Sequence, residues 1–358
     1  MITRIDGGVT APKGFLASGL NAGIKNQTKK DMAMVFSSTP CNAAGVFTTN
    51  LVKAAPVKWD KEIVTNSPYA QAVVVNSGSA NACTGAEGYG YCAATAKKAA
   101  AVLNIPESAV LVASTGVIGQ QLPIDKIESG VESLSKVLGS TRNDASLAAE
   151  AIMTTDTKSK EVAYTFELGG KTVTMAGMCK GSGMIHPNMC TMLCFVTTDA
   201  AISHELVQKA LSADVVDTFN MISVDGDTST NDTVLVLANG QAENQMITEE
   251  NEDYKTFREA LHLVMLELST KIAGDGEGCT CLFEAIVVGA KDKNQARIIA
   301  KSVVCSSLTK AAVFGHDANW GRILCAMGYS GAQFDPEVVD IWLESKAGTI
   351  KIVENGIA

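Results

Sequence analysis

The sequence predicts a layered α/β protein, on three observations. Short apolar runs alternate with amphipathic stretches along all 358 residues. Most of the apolar runs end directly in Gly, Ser, Asn or Thr, as strands do when they pass into tight loops. Aromatic residues make up only 5% of the chain while Ala, Val and Gly are abundant, a composition that suits helices packed closely on sheets. A chain of this length predicts two domains or one large layered domain, with about a dozen strands.

In chain order, "DMAMVFS" (31–37), "AQAVVVNSG" (70–78), "AVLVASTG" (109–116), "TVTMAGMC" (172–179), "MLCFVTT" (192–198), "DTVLVLA" (232–238) and "EAIVVGA" (284–290) read as strands. The Ala-rich stretch 87–103 reads as a helix packed close to a sheet. Ser203 is placed as an N-cap, followed by a stripe of Leu206, Ala210, Ala213 and Val216. Phe257, Leu261, Val264 and Leu268 recur at helical spacing and form another stripe. "GGKT" (169–172) lacks the upstream glycine of a phosphate loop, since Thr165 stands there, and reads instead as a hairpin turn. "KDKNQ" interrupts the pattern near 290 and marks the best candidate domain boundary. At the end, "TIKIVENGIA" is a strand followed by Asn355-Gly356, a strong hairpin turn. Only two residues follow that turn, so the natural chain is expected to continue.

Charge and cysteine usage exclude several functions. With 29 basic and 38 acidic residues the net charge is −9, and no Lys/Arg run stands out. A nucleic-acid backbone would be repelled. The N-terminus has no apolar signal segment, and no apolar run approaches the roughly 20 residues of a spanning helix, so no membrane partner and a cytoplasmic location are expected. Ten cysteines are scattered without a CxxC pair or a histidine at ligand spacing. They read as buried thiols acting as small hydrophobes, and no metal or other cofactor is expected. "DGDTSTND" (225–232) fails as a calcium loop, with Thr230 in the glycine place and Val236 in the glutamate place. "GDGEG" (274–278) follows a helix rather than a strand. His204 and His262 fall within helical patterns, His186 in a glycine loop and His316 in "GHDANWGR". No histidine-based triad emerges.

What is left is "KGSGMIHPNMCTMLCFVTTDA" (180–200), a glycine-rich loop that meets an apolar strand at Thr191. The residues alone leave two readings open: a threonine at a strand's entrance, or a nucleophile held by a rigid element. A threonine hydroxyl needs a base to act as a nucleophile. Cutting the chain just before it would supply one, because the new α-amino group titrates near roughly 7.7 to 8.

This stretch closely resembles the self-cleavage segment of the ornithine acetyltransferase (glutamate N-acetyltransferase) family. "GLNAGIK" (19–25), "VNSGSANACTG" (75–85), "ASTGVIG" (113–119), "IMTTDT" (152–157), "VDGDTSTND" (224–232), "AGDGEG" (273–278) and "DANWGRI" (317–323) resemble the same family's blocks, in its order and across nearly the whole chain. The resemblance implies an αββα sandwich over 1–290, self-cleaved between Cys190 and Thr191, and a smaller α/β domain over 291–358. It implies Thr191 as the nucleophile that carries the acetyl group, with Thr115 and Gly116 as the oxyanion hole. Thr154, Lys180, Thr191 and Glu277 match its substrate-binding positions. A lysine for a carboxylate and a glutamate for an ammonium group suit a zwitterionic substrate.

The implied reaction is transfer of acetyl from N-acetyl-L-ornithine to L-glutamate in cyclic arginine biosynthesis. Acetyl-CoA is left open as a second donor, and the α and β pieces are expected to form an α2β2 assembly. An amide hydrolase or aminopeptidase on the same scaffold, with water as acceptor, is the rival reading. Two departures from the family are visible. Cys190 stands where alanine is common, and the family's C-terminal asparagine and threonine that reach the substrate would lie beyond residue 358.

Overall fold

The computed structural model describes residues 1–67, 69–186 and 192–358. Its main sheet has nine strands: β1 (Thr3–Ile5), β2 (Phe15–Leu20), β3 (Met32–Phe47), β4 (Tyr69–Ser79), β5 (Val110–Val117), β6 (Lys160–Leu168), β7 (Lys171–Lys180), β8 (Leu193–Thr198) and β9 (Thr233–Ala238). The strand order is β1-β6-β7-β8-β9-β3-β4-β5, with β2 also on β3. The 16-residue β3 bends this sheet into two layers. Met32–Phe36 pairs with β4, Asn42–Phe47 pairs with β9, and the register breaks between Phe36 and Cys41.

The alternation of side chains along the strands shows how the layers stack. Val73 and Val75 of β4, Leu111 and Ala113 of β5, Leu193 and Phe195 of β8, and Leu235 and Leu237 of β9 all meet in one inner core. Their neighbours point outward. Val74 and Val112 pack on Ala96 and Ala99 of α2 (Gly85–Leu103) and on Ile127 and Val131 of α3 (Ile124–Lys136). Cys194, Val196, Val234 and Val236 pack beneath α5 (His204–Asp214) and α6 (Glu252–Ala273). Helix, sheet, sheet and helix follow one another, so the expected αββα layering is present.

Most local expectations hold. Phe257, Leu261, Val264 and Leu268 are all fully buried on α6. Gly169 and Gly170, at φ +54° and +78°, form the two-residue turn that joins β6 to β7, a conformation that favours glycine. Ser203 caps α5 by accepting the Leu206 amide at 3.4 Å. Ser203→Ala is expected to cost about 1 kcal/mol, read as a shift of the denaturant midpoint at constant slope.

Three expectations need correction. On α5 the buried stripe is Leu206, Val207, Ala210 and Leu211, and Ala213 is exposed. Residues 284–290 are not a strand: Ile286 and Val288 are 75% and 79% exposed, and the described residues bring no partner ladder beside them. The cysteines divide. Cys41, Cys92, Cys179 and Cys194 are buried, whereas Cys83, Cys279, Cys281 and Cys325 are exposed on turns, loops and an outward helix face.

Beyond 290 lie α7 (Lys293–Cys305), α8 (Ser307–Phe314), α9 (Trp320–Gly328) and the hairpin of β10 (Ile341–Ser345) with β11 (Gly348–Val353). Of these, α7 and α8 dock on the 217–224 segment. Arg297 pairs with Asp217 at 2.5 Å, and Lys310 donates to the Ser223 and Val224 carbonyls at 3.1 and 2.6 Å.

Candidate active site

One end of the sandwich opens into a cavity of about 540 Å³. The C-terminal ends of parallel β4 and β5 reach it from one layer, contributing Gly78, Thr115 and Gly116. From the other layer come the end of β7 with Lys180, the start of β8 with Leu193, and the 229–232 loop before β9. Thr154 and Glu277 complete the wall. The structure therefore brings together Thr115, Gly116, Thr154, Lys180 and Glu277, which are scattered over more than 160 positions in the chain. Cys190 and Thr191 lie outside the described residues. The next residue, Met192, is buried and lines this cavity together with Leu193.

Gly116 is a glycine for steric reasons. Its φ is +133°, and a Cβ there would lie 2.3 Å from the Gly78 carbonyl carbon and 2.5 Å from its oxygen. Two strand ends can approach this closely only without a side chain. Lys180 reaches across the layers and donates to Thr115 Oγ1 at 3.4 Å. Burial lowers its pKa. The charges of Asp156 and Asp232 oppose that shift, and the charge of Lys160 adds to it. Asp232 is buried beside it, and burial pushes its carboxyl well above the usual range, with Ser229 and Lys180 counteracting. Its Oδ2 has no hydrogen-bond partner among the described residues.

The cavity is framed by polar groups to which the sequence reading gave no role. Asn231 Nδ2 donates to the Ala80 and Ser114 carbonyls at 2.6 and 2.8 Å, stapling the β4 and β5 ends to the loop before β9. Beneath the floor lies a buried ion triad. Lys160 Nζ sits 2.6 Å from both Asp156 Oδ1 and Asp275 Oδ2. Asp156 also accepts the Thr154 amide at 3.1 Å and the Gly181 amide at 2.7 Å. Asp275 accepts the amide and hydroxyl of Thr157, and its backbone carbonyl accepts Ser182 Oγ at 2.7 Å. The Glu277 amide in turn donates to the Ser182 carbonyl at 3.0 Å. One lysine thus ties together the three segments that carry Thr154, Lys180 and Glu277. Asp156 and Asp275 belong to the blocks "IMTTDT" and "AGDGEG", whereas Lys160 belongs to no block and carried no signal.

The assembled groups are of the types that acyl transfer to a small amino acid calls for. Cations flank a pocket of amino-acid size, and a strand end forced into close approach presents its backbone to that pocket. Among the described residues no helix is long and apolar enough to cross a membrane.

Comparison with known proteins agrees. The sequence profile of the ArgJ family matches residues 16–358. The arginine biosynthesis bifunctional protein ArgJ of Thermotoga neapolitana is 53% identical over 346 residues, which cover 96% of this chain and 86% of the relative. Among solved structures, the arginine biosynthesis bifunctional protein ArgJ of Bacillus halodurans is 43% identical with a TM-score of 0.51, and the match covers 53% of this chain and 98% of that one. The ornithine acetyltransferase of Mycobacterium tuberculosis, complexed with ornithine, is 42% identical with a TM-score of 0.50, covering 52% of this chain and 99% of that one. The class defined is an N-acetyltransferase of mixed α/β fold. The chain belongs to the ArgJ family.

Proposed function

We propose that this enzyme moves an acetyl group from N-acetyl-L-ornithine to L-glutamate in arginine biosynthesis, through an acetyl ester on Thr191. The observation that carries the reading is the single cavity in which Thr115, Gly116, Thr154, Lys180 and Glu277 converge beside Met192, one residue after the nucleophile.

The chain first matures. The Thr191 hydroxyl attacks the Cys190 carbonyl, the peptide becomes an ester, and water hydrolyses it to leave Cys190 as a carboxylate and Thr191 with a free α-amine. The lengths of the solved relatives support this step. The matched portion, 53% of 358 residues or about 190, accounts for 98% of the Bacillus halodurans chain, and a piece ending at Cys190 has that length.

In the transfer itself, Thr191 Oγ attacks the acetyl carbonyl of N-acetylornithine while its own α-amine accepts the hydroxyl proton. The oxyanion of the tetrahedral intermediate is held by Thr115 and Gly116. That intermediate collapses as the ornithine nitrogen takes the proton and leaves. Glutamate then attacks the ester with its amine, and the reverse proton movement restores Thr191. Lys180 holds the substrate carboxylate and Glu277 the side-chain ammonium, as opposite charges in a partly desolvated pocket do. A second donor to the same hydroxyl would be acetyl-CoA. Residues 1–290 would be the catalytic domain and 291–358 a smaller one, in a cytoplasmic α2β2 assembly of the two pieces.

Thr191→Ala is expected to leave a single uncut chain by intact mass and to abolish transfer. In the native protein a fragment beginning Thr-Met-Leu-Cys should appear, and product release should require glutamate. A cut and active alanine variant would overturn the mechanism, and turnover without glutamate would indicate a hydrolase.

A further inference from the structure

The block "GLNAGIK" ends in a lysine whose purpose is not absorbed by the reaction above. Lys25 lines the cavity, and considerable structure is spent on holding it there. The fully buried Asp31 accepts the Ala22 amide at 2.6 Å with one carboxylate oxygen, and the Ile24 and Lys25 amides at 2.6 and 3.0 Å with the other. Asn21 closes the loop by accepting the Gly23 amide and donating to the Asn26 and Lys29 carbonyls. Gly78 makes room for it: a Cβ at that glycine would lie 3.0 Å from Lys25 Cγ and 2.9 Å from Ile24 Cγ2. The ammonium donates to the Met153 carbonyl, one residue before Thr154, and more weakly to the Lys30 carbonyl at 3.5 Å.

The two amino acids of the proposed exchange pose a charge problem. Each offers an α-carboxylate, but the donor's side chain ends in an ammonium group and the acceptor's in a second carboxylate. Lys180 and Glu277 answer the donor's charges. For the acceptor, Glu277 would face a like charge, which costs affinity unless a cation stands nearby. Among the charged residues lining the cavity, Lys25 is the one left to meet it: Asp232 has the wrong sign, and Lys180 is buried against Thr115.

We infer that Lys25 is the acceptor-specificity residue, which binds the side-chain carboxylate of an acidic amino acid while Lys180 holds the α-carboxylate. This assignment rests on the exchange reaction proposed above. Its charge is well suited to a site that admits opposite side chains in turn. Burial lowers the Lys25 pKa to about 8, with Asp31 and Asp156 resisting and Lys180 and Lys29 assisting. An incoming carboxylate favours the protonated amine, and an incoming ammonium favours its neutral form.

The test separates the half-reactions. Lys25→Gln keeps a donor for the Met153 carbonyl but removes the charge, and Lys25→Arg keeps the charge. In Lys25→Gln, KM for glutamate should rise about 10- to 100-fold, the value of one charge-assisted hydrogen bond. The single-turnover release of ornithine from N-acetylornithine should fall far less. The variant should also lose its preference for glutamate over glutamine as acceptor, and Lys25→Arg should recover most of that preference. Equal losses in both half-reactions, or an unchanged preference for glutamate over glutamine, would overturn the assignment. Wild-type turnover without any acceptor would instead overturn the exchange reaction on which it rests.

Discussion

Replacing Lys160 with methionine is expected to destabilise the protein by about 3–5 kcal/mol, the usual cost of stripping one partner from a buried ion cluster. Lys160 is 2% exposed, and its ammonium lies 2.6 Å from each of two carboxylates. Methionine fills the space but leaves Asp156 and Asp275 facing each other without the cation. The pH dependence should change with it. Burial alone would raise the Asp156 carboxyl, yet the Lys180 and Lys160 charges and the bonds from Lys160 and Gly181 hold it below its usual value. Asp275 is likewise held down, by Lys160 and Thr157 against burial. Groups depressed in the folded state stabilise it above their unfolded pKa near roughly 3.9, and that stability is lost as pH falls through the lower folded values. Lys160→Met should therefore narrow the stability difference between pH 7 and pH 3. Urea titrations at both pH values, with Asp275→Asn alone and in combination, measure the coupling directly. Additive single-site effects would show that the triad does not act as a unit. In the folded variant KM should rise more than kcat falls, because the triad positions Thr154, Gly181 and Ser182 and does not touch the reacting atoms.

Gly116→Ala should cost about 10²- to 10³-fold in the rate of enzyme acetylation, the typical loss when an oxyanion donor is displaced. The added methyl group would meet the Gly78 backbone at 2.3 to 2.5 Å in a conformation, φ +133°, that alanine rarely adopts. The ends of β4 and β5 must part, and with them the groups proposed to hold the acetyl oxygen. Single-turnover acetylation followed by mass checks the rate, and thermal melting checks that the fold survives. Thr115→Val tests the same hole without disturbing the backbone, and should also slow acetylation. Wild-type acetylation in both variants would remove these residues from the mechanism.

The strands and helices of the sandwich were legible where apolar residues recur at one period. Phe257, Leu261, Val264 and Leu268 mark α6 unambiguously, and the valines of 70–78 and 109–116 mark β4 and β5. The failures share a cause. Residues 284–290 have the composition of a strand, but a strand exists only when a second chain segment accepts its hydrogen bonds. Conversely, β6 was missed because Glu161 and Glu167 break up its apolar run, although its register with β7 is continuous from Lys160 to Leu168.

The site divides along the same line. Thr115, Gly116, Thr154, Lys180 and Glu277 stand in stretches that resemble family blocks, and the structure gathers all five at one cavity. Lys25 was inside such a block without a role, and Lys160 was in none. By itself the sequence determined the layered α/β class, the net negative charge and the blocks that resemble the family's, since those depend on residue type and short-range order. Only the tertiary structure decided which charges are buried together. Lys160 lies 115 residues from Asp275 in the chain and 2.6 Å from it in space, and the low dielectric that makes their contact matter exists only once the layers have closed over them.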